Sequence, residues 1–236
     1  MHATHHTIHK HDHHLGWNHD FAPVLTIAPG ESVEFEVFEA SGGQLTPGST
    51  VADVGTMDFG RVNPVTGPVR IDGAKPGDVL EVTLLGFRPS GWGWTANIPG
   101  FGLLADEFPE AALHVWKYDP QTLAPAFFGK HAKVPLKPFT GTIGVAPAEA
   151  GLHSIVPPRR VGGNMDIRDV ATGTKLYLPV EVDGALFSVG DTHAAQGDGE
   201  AAGRGLRGVG EDAVRGDDQA AHGVRTRASS ACSQRR

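Results

Sequence analysis

Short apolar runs separated by glycine and proline turns are the feature that most restricts the fold of this 236-residue chain. It contains 32 glycines and 17 prolines, many of them in Pro-Gly, Asp-Gly or Gly-Gly pairs. After the Pro29-Gly30 turn, Val33, Phe35 and Val37 alternate with glutamates, which is the period of a half-buried strand. The pattern predicts a mostly β fold, a β-sandwich or distorted barrel with long loops and few short helices.

The composition changes abruptly after Glu200, which suggests two regions: a β domain over residues 1–200 and a low-complexity tail over 201–236. The tail is rich in Arg, Gly and Ala and contains no Ile, Phe, Trp, Tyr, Met, Lys or Pro. Because it can bury little apolar surface, we expect it to be disordered. A reading-frame shift after Glu200 explains this composition best; a native flexible tail and a nucleic-acid-binding tail are the alternatives. In the first case the β domain would be incomplete at its C-terminal end.

Charge and hydropathy exclude several classes of partner. The tail holds seven Arg and four acidic residues, a net charge of +3. Because the whole chain has a net charge of −7, residues 1–200 carry a net charge of −10. Such an acidic body argues against nucleic acid. There is no apolar run of about 20 residues, which argues against a membrane span. The single cysteine, Cys232, and the lack of a signal-peptide pattern predict a cytoplasmic protein.

Polar side chains concentrate at the end of the last strand-like run, where loops commonly carry function. Asp191 and His193 are two residues apart, so on a strand they point to the same face and can share one divalent ion. Asp198 and Glu200 repeat this spacing, with Gln196 between the two pairs. A bend after His193 would be needed for all of them to converge, and the intervening glycines permit one.

Two other segments could contribute to the same site. Asn164 and Asp166 follow Gly162-Gly163 and could supply oxygen ligands or hold a substrate; the alternative is a turn in which they bond their own backbone. Eight of the thirteen histidines lie within the first 19 residues. They form either a polar arm with adventitious metal affinity or a segment from which His14 reaches the site.

The motifs of several enzyme classes are missing from the sequence. It has no Gly-x-Ser-x-Gly elbow, no phosphate-binding loop, no dinucleotide fingerprint and no His-Glu-x-x-His. The only cysteine lies in the tail, which argues against a cysteine nucleophile. A hydrolase of this composition would most naturally use a metal-activated water with a carboxylate base.

The chain resembles the acetamidase/formamidase family in eight motifs that occur in the family's order. Among them are Gly162-Gly163-Asn164-Met165-Asp166 and the run through Gly197-Asp198-Gly199-Glu200; all eight span residues 62–69, 73–78, 98–104, 144–148, 157–160, 162–166, 178–180 and 184–200. The resemblance covers about residues 4 to 200. It implies hydrolysis of formamide or acetamide to ammonia and a carboxylate, a mostly β fold, homo-oligomers and a bound divalent ion. It departs after Glu200, where the family continues into further strands.

We combine these observations into one set of site assignments. Asp191, His193 and Asp198 are the predicted metal ligands, Asn164 and His14 the predicted substrate contacts, and Glu200 and Asp166 the predicted catalytic acids or bases. The ion would be zinc, favoured by His193, or calcium, favoured by the oxygen ligands. The partner is a small amide. The alternatives are a non-catalytic β-sandwich module that binds a cation or small polar ligand, and an inactive truncated fragment.

Overall fold

The computed structural model of the chain describes residues 5–102, 104–130 and 132–198, and the backbone of residues 214–215 and 224–231. Strands predominate in this part, where regular helix is confined to α1 (Val51–Gly55) and a 3-10 turn at Phe59–Arg61. The prediction of a mostly β fold with few short helices is confirmed. Neither of these helical segments has the length and apolar character needed to cross a bilayer.

The strands are numbered in chain order. They are β1 (His5–Ile8), β2 (His13–His14), β3 (Leu25–Ile27), β4 (Ser32–Phe35), β5 (Val65–Ile71), β6 (Val79–Leu84), β7 (Trp92–Asn97), β8 (Ala112–Lys117), β9 (Ala126–Phe128), β10 (Ala132–Val134), β11 (Phe139–Gly144), β12 (Gly162–Asn164), β13 (Lys175–Pro179), β14 (Phe187–Ala195), β15 (Val214–Arg215) and β16 (Val224–Ala231).

Two large sheets form the body of the domain. The first has the order β1-β4-β16-β6-β13, and the second has the order β12-β11-β14-β5-β2, with β3 beside β5 and β15 beside β14. Their apolar faces meet in one core, where the rings of Phe35 and Phe187 pack edge to face with centroids 5.7 Å apart. Burial of these faces is the main term that stabilises the fold.

Strand β14 lies inside the second sheet, and every one of its residues is buried. It pairs antiparallel with β11 on one side and with β5 on the other. Side chains that project from this strand are therefore held by hydrogen-bonded neighbours on both sides. This strand carries Asp191 and His193.

Beyond Glu200 the structure describes the backbone of two strands, β15 and β16. The other residues of 201–236 lie outside the described residues, so the division into a β domain and a low-complexity, disordered tail stays a prediction. The backbone of β16 pairs with both β4 and β6. Sheet ladders use backbone groups, so composition alone does not prevent an extended segment from pairing there.

A buried carboxylate fixes the long connection after β4. Glu39 is 1% exposed and accepts four hydrogen bonds: from Ser41 N (2.7 Å), Ser41 Oγ (2.5 Å), Gly43 N (2.6 Å) and Trp94 Nε1 (2.6 Å). Since Trp94 belongs to β7, this carboxylate attaches the loop to the β7–β8 ribbon. Each of its two oxygens receives two of the donors.

We expect Glu39→Gln to lower the free energy of unfolding by about 3 kcal/mol, because whichever oxygen becomes NH₂ would face two donors that lose their buried acceptor. Urea unfolding of both proteins measures this difference. Glu149→Gln is the matched control, since the Glu149 side chain is 78% exposed, and its effect should stay within about 0.5 kcal/mol. A Glu39→Gln protein as stable as the parent would contradict the anchoring role.

Candidate metal centre

Two of the predicted ligands project from the centre of the second sheet. Asp191 and His193 are 0% and 1% exposed, and Nε2 of His193 lies 3.3 Å from Oδ1 of Asp191. The ring of His193 packs on the ring of Phe139, the residue that pairs with it on the neighbouring strand β11, and the two centroids are 4.6 Å apart. The two side chains of Asp191 and His193 therefore meet, as their spacing predicted, and their assignment as metal ligands stays a prediction.

Asp166 joins them from the loop that follows β12. Its Oδ1 lies 3.4 Å from Nε2 of His193, and its side chain is 17% exposed. One ligand atom from each of Asp166, Asp191 and His193 lies within 4.8 Å of the others, and within the described ranges no other histidine, cysteine or acidic residues form such a group. The three side chains form the candidate centre, and Asp166 is its most accessible member.

A glycine on β11 leaves the space in which these groups meet. A Cβ atom at Gly141 would lie 2.5 Å from Asp166 Oδ1 and 2.7 Å from His193 Nε2, much closer than real contacts allow. The carbonyl of Gly141 also accepts hydrogen bonds from the backbone N–H groups of Met165 and Asp166. Gly141 thus provides room for the centre and anchors the loop that carries Asp166.

The backbone at both aspartates has an uncommon conformation. Asp166 has φ 49° and Asp191 has φ 47°, in the left-handed region that few non-glycine residues adopt. Such conformations persist only where the surrounding structure holds them, and they cluster at functional sites. Here they aim two carboxylates from separate segments at the same imidazole.

The donor set suits a divalent cation. Two carboxylates and one imidazole are ligands that zinc accepts, and three protein ligands leave a position open for water or substrate. Two carboxylates placed this close in a poorly hydrated site repel each other unless a cation or proton compensates them. The residues present therefore fit a divalent ion.

The other predicted acids are not brought to the centre. The side chain of Asp198 is 91% exposed and forms an ion pair with Arg168 at 2.5 Å, so the structure does not support its assignment as a metal ligand. The reason is that β14 ends at Ala195, and the alternation of a strand does not continue into the following turn. Glu200, the predicted general base, lies outside the described residues.

Both the oxygen and the nitrogen of the Asn164 side-chain amide form hydrogen bonds within the protein. Thr142 Oγ1 donates to Asn164 Oδ1 at 2.8 Å, and Asn164 Nδ2 donates to the carbonyl of Val156 at 3.0 Å. These bonds hold the 156–164 segment against β11. The arrangement favours the structural alternative for Asn164 over substrate binding.

His14 is likewise held by the protein, beside β5 of the same sheet. Its Nδ1 lies 2.7 Å from the carbonyl of Gly16 and its Nε2 lies 2.9 Å from Ser188 Oγ. A neutral ring satisfies both bonds, with Nδ1–H donating to Gly16 and Nε2 accepting from the hydroxyl of Ser188. No contact joins His14 to Asp166, Asp191 or His193 in the described structure, so its assignment as a substrate contact is not supported.

His14 should make stability depend on pH. Burial lowers its pKa from 6.5 to about 4, so between these values the unfolded chain binds a proton that the folded chain does not. Stability from this group is complete above pH 6.5 and falls as pH decreases, by about 3 kcal/mol at pH 4. In urea unfolding, the stability difference between the parent and His14→Gln should shrink by this amount from pH 7.5 to pH 4. A difference that does not change with pH would contradict this role.

Sequence reasoning missed Gly141, although a signal for it was present. A glycine inside a strand pattern marks a place where another group approaches the backbone closely. Without a side chain it offers no chemistry of its own, so a search for ligands and catalytic groups passes over it.

A family model described as the Acetamidase/Formamidase family matches residues 2–156 and 148–208. Among curated proteins, the chain is 29% identical to an acetamidase of Mycolicibacterium smegmatis over 79% of its own length and 61% of that protein's. It is 28% identical to a formamidase of Methylophilus methylotrophus, over 79% and 59% of the two lengths. The chain thus spans about three-fifths of the curated relatives it matches.

Solved structures show the same fold. An acetamidase from Bacillus halodurans superposes with a TM-score of 0.80 and 28% identity, over 94% of this chain and 70% of that one. A gamma lactamase from Delftia acidovorans superposes with a TM-score of 0.82 and 25% identity, over 95% and 67%.

Proposed function

The chain belongs to the acetamidase/formamidase family, and we propose on that basis that it hydrolyses the carbon–nitrogen bond of short amides, giving ammonia and a carboxylate. The observation that carries the proposal is the meeting of Asp166, Asp191 and His193 around one point. Curated relatives named acetamidase and formamidase support the same reaction class. As part of this proposal, the chain acts in the cytoplasm as a homo-oligomer.

Asp166, Asp191 and His193 would hold the ion, with Asp191 and His193 fixed by the sheet. A divalent ion in this position supplies a Lewis acid that polarises the amide carbonyl and lowers the pKa of a bound water. Asp166 has the most exposed side chain of the three, which supports the proposal that its carboxylate, besides holding the ion, also exchanges a proton with the substrate. Glu200 is retained as the proposed general base on sequence grounds alone.

An ammonia assay tests the proposal. The purified chain, loaded with Zn²⁺ or Ca²⁺, is incubated with formamide, acetamide and butyramide, with and without a chelator. We expect ammonia from the two smaller amides, loss of release with the chelator, and recovery when the ion is returned. Ion binding without ammonia release from any amide would favour the non-catalytic module, and chelator-resistant release would argue against a metal-dependent reaction.

A further inference from the structure

Gln196 connects the two segments that build the candidate centre. It follows β14 directly, and its Nε2 donates to the backbone carbonyl of Asp166 at 2.6 Å. The two residues are 30 positions apart in the chain. This hydrogen bond therefore sets where the loop carrying Asp166 lies relative to the strand carrying Asp191 and His193.

The backbone of Asp166 needs such support. Its left-handed conformation (φ 49°) is of a kind that costs on the order of 1–3 kcal/mol outside glycine. Its N–H donates to Gly141 O at 3.1 Å and its C=O accepts from Gln196. The residue is held on both sides by hydrogen bonds, one from each neighbouring strand segment, β11 and the end of β14.

We propose that Gln196 is a positioning residue that keeps the carboxylate of Asp166 aimed at the ion site. The inference rests on the metal centre of the proposed function. Without the bond from Gln196, the backbone carbonyl of Asp166 would lose its hydrogen bond to the segment after β14, and the N–H groups of Met165 and Asp166 would still be bonded to Gly141. Asp191 and His193 would stay in place, because β14 pairs with β11 on one side and, beyond the end of its pairing with β5 at Gly190, with β15 on the other. The ion would then be held by Asp191 and His193 all the time, but by Asp166 only part of the time.

The test is the affinity of the metal-free protein for Zn²⁺ and Ca²⁺, measured by calorimetry, in the parent and in Gln196→Met. Methionine keeps the length and shape of the side chain and removes the donor. Loss of a group that orients a ligand typically lowers metal affinity 10- to 100-fold, and we expect a loss in this range. Ammonia release should recover when the ion concentration is raised by the same factor, which a general loss of folding would not allow.

Gln44→Met is the matched control. Gln44 is also half-buried and its Nε2 donates to two backbone carbonyls, those of Ser41 (2.7 Å) and Asp58 (3.0 Å), within a different loop. This variant should bind the ion like the parent. Thermal unfolding without metal is recorded for all three proteins, and Gln196→Ser serves as a second variant if Gln196→Met does not fold.

The outcomes separate the two proposals. Parent-like ion affinity in both Gln196 variants would overturn the positioning role and leave the metal centre standing. An equal loss of affinity in Gln44→Met would show a non-specific effect and would also overturn it. Absence of saturable ion binding in the parent would overturn the metal centre, and the role of Gln196 with it.

Discussion

Alanine at position 141 should abolish ion binding and ammonia release while the chain still folds. The added Cβ would lie 2.5 Å from Asp166 Oδ1 and 2.7 Å from His193 Nε2, so at least one of these ligands must move away. The backbone of Gly141 lies in strand β11 outside the positive-φ region, so alanine is compatible with its conformation. We expect at least a 100-fold loss of ion affinity, because a single methyl group occupies the space that the ligands share.

Calorimetric titration of metal-free protein with Zn²⁺ or Ca²⁺, together with the ammonia assay, measures this effect. Gly86→Ala is the control: a Cβ there meets nothing within 4 Å and its φ is not positive, so both readings should be unchanged. Circular dichroism checks that each variant is folded. Normal ion binding by a folded Gly141→Ala protein would show that the ion binds elsewhere.

Asp191→Asn should lower ion affinity by a similar factor, but it should not destabilise the metal-free protein. Asparagine has the same shape but no negative charge, so ion affinity should fall at least 100-fold. Without metal, the substitution removes one of two carboxylates that lie within 4.8 Å of each other in a poorly hydrated site. We therefore expect the unfolding temperature of the metal-free protein to stay the same or rise.

Differential scanning calorimetry with and without ion measures this contrast. In the parent, the ion should raise the unfolding temperature, and in Asp191→Asn this increase should disappear. Asp198→Asn is the matched control, because Asp198 is exposed and pairs with Arg168 away from the centre. If Asp198→Asn lost the response and Asp191→Asn kept it, the assignment of ligands made from the structure would be reversed.

The fold class could be predicted because turn residues and strand alternation are local properties of the chain. Val33 and Phe35 are fully buried in β4, as their alternation with glutamates suggested. The same alternation predicted that Glu34 would face solvent, and this was wrong: Glu34 is 3% exposed and forms an ion pair with Arg88. Alternation specifies two faces of a strand, but it does not show that the second face is also covered.

The candidate site could be predicted only in part, for a similar reason. Asp191 and His193 were found together because both lie on one continuous strand. Asp166 was expected near the site, although its contact with His193 depends on a left-handed turn and on Gly141, which lies on another strand. Asp198 follows the end of β14, where a spacing of two residues no longer implies a common face.

The most direct measurement is anomalous X-ray diffraction from crystals of the chain soaked with Zn²⁺. We predict one strong peak between the side chains of Asp166, Asp191 and His193, at about 2.0–2.2 Å from their ligand atoms. The peak should lie next to Gly141. A peak found only among the N-terminal histidines, or no peak between these three side chains, would contradict the account.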